Sequence, residues 1–153
     1  MNVSLRPFSA EYQDFLYQLY ASTRLDEIAP FGWNPAQQEA FLRMQFTAQQ
    51  RWYESAYPNA EHQLVFVESQ PAGRILVTRE FHKNHLVDIA LLAEHRGKGI
   101  GTQLLRDLIL QSQASGVPLS LQVLKTNPAA RLYERLGFTR TGEDQMYYQM
   151  THG

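Results

Sequence analysis

The chain contains no cysteine. That excludes disulfides, thiolate metal sites and a cysteine nucleophile together, and it is neutral about compartment. No charge of one sign dominates: 14 Lys and Arg stand against 15 Asp and Glu, a net charge of -1. A broad basic face for nucleic acid and a polybasic membrane patch are both excluded. No apolar run reaches the roughly 20 residues that span a bilayer. The opening residues, Met1-Asn2-Val3-Ser4-Leu5-Arg6-Pro7, lack the apolar stretch of a signal peptide. A cytoplasmic protein with no nucleic-acid or membrane partner is the expectation. The histidines (His62, His82, His85, His95, His152) form no His-x-x-x-His pair, so no metal is expected. The length of 153 residues suits one domain, 1–153, with its own core.

What the chain does have is a glycine-rich turn, Arg96-Gly97-Lys98-Gly99-Ile100-Gly101-Thr102. An apolar run at 86–92 precedes it and reads as a strand. The segment 103–110 follows and reads as a helix. Glycines let a backbone approach a ligand closely. The first N–H groups of a helix have no internal partner, so the helix start is an anion site suited to phosphate. Arg96 and Lys98 add positive charge there. Two phosphate-loop readings fail. A nucleotide-triphosphatase loop needs Gly-Lys-Ser/Thr, and this segment has Gly97-Lys98-Gly99. A dinucleotide fingerprint needs an acidic residue about 20 positions on, and 117–121 carries none. The pattern Arg/Gln-x-x-Gly-x-Gly/Ala, which holds the pyrophosphate of acyl-CoA in acetyltransferases, fits residues 96–101 without a gap.

A second segment supports that reading. Asn127-Pro128-Ala129-Ala130-Arg131-Leu132-Tyr133-Glu134-Arg135-Leu136-Gly137-Phe138 lies downstream. Asn127 suits a helix N-cap, Pro128 the first turn, and Gly137 the helix end. With both motifs in order, the chain resembles the GNAT superfamily of acetyl-CoA-dependent N-acetyltransferases over roughly residues 64–150. The resemblance implies an α/β (α+β) fold: a central mixed sheet of about seven strands, flanked by about four helices, with splayed central strands.

The remaining pattern agrees with that order. A strand at 2–6 precedes a helix to about Arg24, started by Ser9 or Asp14. A break at Pro30-Phe31-Gly32-Trp33-Asn34 leads into a second helix, 36–57, with apolar Phe41, Met44, Phe46, Ala48 and Trp52. Strands follow at 64–68 and 74–81, joined by a turn over 69–73. The glycine-loop helix runs to Ser115, a buried strand covers 119–124, and two strands at 138–143 and 146–151 close the chain.

By the resemblance, the gap between the strands 86–92 and 119–124 admits the pantetheine arm of acetyl-CoA. The backbone of Ile89, Ala90 and Leu91 would pair with its amides, residues 97–102 would hold its pyrophosphate, and Asn127 would touch it. Tyr133 would be the general acid that protonates the leaving thiolate. A backbone N–H near Leu91 would stabilise the developing oxyanion. A primary amine with a pKa of about 10.4 is almost wholly protonated at pH 7, so a base or a desolvating site must help. Some relatives carry a glutamate for this near position 122, where the chain has Gln122, which cannot serve. Asp88 is the catalytic candidate, because a carboxylate inside an apolar strand must face a cleft or a cation. Glu80, Glu27 and a water chain are alternatives. The acceptor is a small-molecule amine or a peptide amine, and 22–52, with Phe31, Trp33, Phe46, Trp52 and Tyr53 in or beside it, should set specificity. A homodimer through the C-terminal strands is common in the fold. A non-catalytic module that binds acyl-CoA is the other reading.

Overall fold

The computed structural model describes residues 1–153. One seven-stranded sheet holds the chain together: β1 (Val3–Pro7), β2 (Glu61–Val67), β3 (Gln70–Arg79), β4 (Asn84–Leu91), β5 (Leu119–Leu124), β6 (Thr139–Glu143) and β7 (Tyr147–His152), in the spatial order β1-β2-β3-β4-β5-β7-β6. All neighbours are antiparallel except β4 and β5. Helices α1 (Gln13–Ile28) and α2 (Pro35–Ala56) cover one face of the sheet. Helices α3 (Ile100–Ser115) and α4 (Ala129–Arg135) cover the other. The mixed sheet and four helices are those expected from the sequence.

Strand alternation sorts the core. Ile75, Val77, Leu86, Leu121 and Val123 point to the α3/α4 side, where Leu104, Leu105 and Leu108 meet them. Leu64 and Phe66 point to the α1/α2 side and meet Leu16, Leu19, Leu42 and Phe46. On α2 the expected stripe is only half right. Phe46 is buried and Phe41 partly so, but Met44 and Trp52 are each 63% exposed. The inward stripe runs through Leu42 and Phe46 instead, one helical turn apart.

Local chemistry explains several boundaries. Asn34 accepts the N–H of Gln37 at 2.8 Å, and the Gln37 side chain accepts the N–H of Asn34 at 3.0 Å. This capping box, with Pro35 in the first turn, starts α2. The β2–β3 turn is tighter than expected. Only Glu68 and Ser69 form it, at φ 49° and 66°, left-handed values unusual for residues with a Cβ. Gln70 already pairs with Val67, so Ala72 and Gly73 lie inside β3 rather than in a turn.

The decisive irregularity is in β4. Asp88 faces Leu76, yet Leu86 faces Val77, so Val87 is an extra residue on β4. Such a bulge resets the alternation of side chains. Leu86 enters the α3/α4 core, while His85 and Asp88 both turn toward α1 and α2. Just past it the sheet opens. The pair β4–β5 has three rungs, Asn84–Leu119, His85–Ser120 and Leu86–Leu121, and no more. Beyond Leu121, strand β5 pairs with β7 alone.

Candidate active site

The opening between β4 and β5 is a cleft of 450 Å³. Because it cuts through the sheet, side chains from both layers share it. Tyr53 comes from α2, Asp88 and His85 from β4, Gln122 from β5 and Tyr133 from α4. The backbone of β4 lines one wall. Leu92 donates its N–H to Ala72 on β3 at 2.8 Å. Alternation along an antiparallel ladder then turns Ala90 toward β3 and turns Ile89 and Leu91 toward the gap. The main-chain groups of Ile89 therefore face the cleft and the N–H of Leu91 faces the gap just past its lining, whereas Ala90 contributes its small side chain.

The glycine loop lies at the mouth. A short 3-10 turn, Ala93–His95, ends in extended Arg96. Gly97 and Gly99 follow at φ 73° and 81°, the left-handed region that glycine enters without steric cost. Gly99 is the N-cap of α3, and its carbonyl accepts the N–H of Gln103 at 3.0 Å. The N–H groups of Ile100, Gly101 and Thr102 have no acceptor within the helix. A Cβ built on Gly97, Gly99 or Gly101 would meet nothing within 4 Å. Backbone conformation accounts for Gly97 and Gly99, while at Gly101 neither conformation nor packing demands glycine and a ligand approaching the backbone would. Arg96 Nε donates to the carbonyl of Leu91 at 3.0 Å and ties the loop to the end of β4, while Lys98 is exposed.

Arg74 is the charged centre of the cleft wall. It is only 4% exposed and must be paired. Its Nε and Nη2 both reach Asp88 Oδ2 at 2.8 Å, and Nη2 also donates to Gln49 Oε1 at 3.1 Å. The guanidinium sits 5.3 Å from the centre of the Tyr53 ring. Burial and the Asp88 charge push the Tyr53 phenol well above its ordinary value. Arg74 leaves Asp88 Oδ1 uncommitted.

Tyr133 is 8% exposed and packs edge-on against Phe138 at 5.8 Å. Burial first, and then the Asp88 carboxylate, push its phenol up to about 12. The proton is therefore held throughout the neutral range. Asn127 also lines the cleft, and its Oδ1 accepts the N–H of Ala129 at 2.9 Å, although the N-cap of α4 is Pro128 rather than the expected Asn127.

Asp88, Tyr133, Asn127, Ile89 and Ala90 thus share one cleft. Two base candidates lie outside its lining. Glu80 sits at the β3–β4 turn, 4.0 Å from His82, and Glu27 pairs with Arg24 at 3.6 Å on the surface of α1. Among the aromatics expected to set specificity, Trp52 and Tyr53 line the cleft. Phe46 is core, and Phe31 and Trp33 cluster with Phe41 away from it. Sequence reasoning missed Arg74 and His85. Arg74 had a signal: a lone cation in the apolar run Ile75-Leu76-Val77 needs an anion, as Asp88 needs a cation. His85 had none, because its place depends on the bulge.

A mixed sheet thus splits beside a glycine-wrapped helix start, with a buried tyrosine across the split. The model of the acetyltransferase (GNAT) domain matches residues 59–140, over half of the chain, and the chain belongs to that family. It is 39% identical over 69 residues to the [ribosomal protein bS18]-alanine N-acetyltransferase of Haemophilus influenzae, a match covering 44% of this chain and 47% of that protein. The chain thus spans about half the length of that relative. Among solved structures, the PaiA N-acetyltransferase of Thermoplasma acidophilum in complex with coenzyme A superposes with a TM-score of 0.74 at 19% identity, covering 99% of both chains. A GNAT family acetyltransferase of Elizabethkingia anophelis with acetyl-CoA bound gives 0.63 at 17% identity, covering 99% of this chain and 97% of that one.

Proposed function

We propose that the protein transfers an acetyl group from acetyl-CoA to a primary amine by direct attack within the cleft. The observation that carries this is the junction of two features: the open glycine cradle at the start of α3 and the unpaired edge of β4. Acetyl-CoA needs both, an anion seat for its pyrophosphate and strand-like partners for its amides. The N–H groups of residues 97–102 and the charges of Arg96 and Lys98 supply the first. Ile89 supplies the second through its backbone, with Leu91, Ala90 and Asn127 beside it. The N–H of Leu91 is fixed in place before the reaction and serves as the oxyanion donor. Tyr133 gives its proton to the departing sulfur. Asp88 receives the acceptor nitrogen through Oδ1, held in position by Arg74.

The acceptor is a small amine or a peptide amine. The Haemophilus relative is named for an alanine of a ribosomal protein, so a peptide α-amine is the first class to test. The direct experiment is thiol release by the purified protein from acetyl-CoA, against amines, amino acids, and peptides with free N-termini or lysines. Saturable release with one class supports the reading. Saturable acetyl-CoA binding with no release from any amine would instead favour a binding module.

Two variants probe the site. Gly101→Val puts a branched side chain where the pyrophosphate would approach. It should weaken acetyl-CoA binding about 100-fold, or about 2.7 kcal/mol, by calorimetry. Unchanged affinity would remove the loop from its role. Asp88→Asn keeps an oxygen for Arg74 but loses the charge. KM for the acceptor should rise about tenfold, with kcat within about threefold. A collapse of kcat at unchanged KM would contradict the anchoring role.

A further inference from the structure

We propose that His85 is the general base of this transfer, taking a proton from the acceptor ammonium at its Nε2. The inference rests on the acetyltransferase reading above and adds to it the group that Gln122 cannot be.

The geometry singles out one nitrogen. His85 faces Ser120 across the second of the three rungs that join β4 to β5, one residue before the sheet opens. Its Nδ1 lies 2.7 Å from Ser120 Oγ, and Ser120 Oγ lies 3.5 Å from the carbonyl oxygen of Asn84. Either direction of hydrogen bonding fits the 2.7 Å contact, and the proposal takes the one in which the Ser120 oxygen accepts from the ring. In that arrangement the imidazole proton is on Nδ1 and the lone pair is on Nε2. Nε2 has no protein partner, and it is not among the polar atoms sealed from solvent. The ring itself lines the cleft together with Asp88 and Tyr133. Tyr57 holds it flat, with ring centres 5.8 Å apart and planes 23° from parallel. Asp88 is a poorer choice for the proton, because Arg74 donates to its carboxylate through Nε and holds it in a 2.8 Å ion pair.

The charged and titratable groups around the ring come from several elements. Lys83 and Glu80 stand at the β3–β4 turn, Tyr53 on α2 and Tyr57 just past its end, Arg74 on β3 and Asp88 on β4. Burial, and then Lys83, hold the imidazole below its ordinary value of 6.5, with Glu80 opposing. A lowered value means a neutral ring at pH 7, ready to accept a proton. Activity should fall as pH drops through that value.

The protons balance. The ammonium gives one proton to Nε2, which later passes it to water. The freed lone pair forms the C–N bond to the acetyl carbon while the carbonyl pair moves onto oxygen, and the return of that pair breaks the C–S bond. The Tyr133 phenol proton goes to sulfur, and the remaining excess proton on nitrogen restores the phenol.

The test starts from thiol release by the unmodified protein with its best amine. His85→Gln and His85→Ala should each lower kcat about 100-fold or more, with acetyl-CoA Kd within about twofold. The acidic limb of the pH–rate profile should disappear, and added imidazole should restore part of the rate in His85→Ala. Ser120 acts through His85 as a positioning residue. Ser120→Ala should lower kcat about tenfold with KM unchanged. A His85→Gln protein within about threefold of the original, its acidic limb intact, overturns the assignment. So does an Asp88→Asn protein that loses that limb. If the unmodified protein releases no thiol with any amine, the acetyltransferase reading fails separately. The histidine is then judged by two-bond proton–nitrogen NMR at pH 7. A neutral ring with its proton on Nδ1 is expected, and a proton on Nε2 or a charged ring overturns the proposal.

Discussion

Tyr133→Phe is expected to lower kcat by about 100-fold or more while leaving acetyl-CoA affinity within about twofold. The change removes one hydroxyl and keeps the ring. The ring carries the packing: it is nearly buried and meets Phe138 edge-on. Tm should therefore move by no more than about 2 °C. On the proposed role the loss falls on the chemical step, because the buried phenol keeps its proton and would supply it to the leaving sulfur. The pH profile offers a second check. With the phenol pushed up to about 12, the group is still protonated well above neutrality. No alkaline decline should come from Tyr133 below about pH 11. Single-turnover rates and calorimetry on the same preparation separate chemistry from binding. A phenylalanine variant with normal turnover would leave Tyr133 a packing residue only.

Gly73→Ala is expected to destabilise the fold by about 3 kcal/mol, a fall in Tm of about 6–12 °C. The reason is a backbone collision rather than a conformational preference. A Cβ on Gly73 would lie 2.2 Å from the Ala90 carbonyl oxygen and 3.1 Å from Leu91 Cα. Neither can turn aside as a flexible side chain would, so β3 and β4 must separate. The damage would also reach the cleft, since Leu91 pairs with Gly73. Acetyl-CoA affinity should fall with stability. A thermal melt within about 2 °C of the original would show that the strands absorb the methyl group.

Where function rests on local geometry, the chain was readable. The glycine run does stand at the start of a helix, as expected, and Asn127 bonds the backbone at the start of the helix that carries Tyr133. These features need only a few neighbouring residues to determine them. What depends on register was hidden. One extra residue at Val87 decides that His85 and Asp88 share a face with Tyr53. Read with strict alternation, Leu86 would have shared a face with Asp88. The union of Arg74 with Asp88 crosses from one strand to the next, and Gln49 joins it from a helix far earlier in the chain. Strand pairing and helix docking bring these residues together, and neither leaves a short motif. The turn over 69–73 failed for another reason. Pro71 and Gly73 are ordinary turn residues, yet Glu68 and Ser69, less suited to left-handed angles, make the turn.

The three rungs between β4 and β5 have a mechanical consequence. They rivet two plates at one end, four strands on one side and three on the other, and leave the far ends free like the arms of a tuning fork. Each arm keeps its own ladder, so the arms can breathe apart without breaking a strand pair. A molecule seated between them and bonded to β4 would act as a strut. Saturation at 100 times Kd would add about 2.7 kcal/mol to the folded state. Amide exchange should then slow at Ile89 and Leu91, which have no strand partner on that side, while the riveted amides of His85 and Leu86 change little.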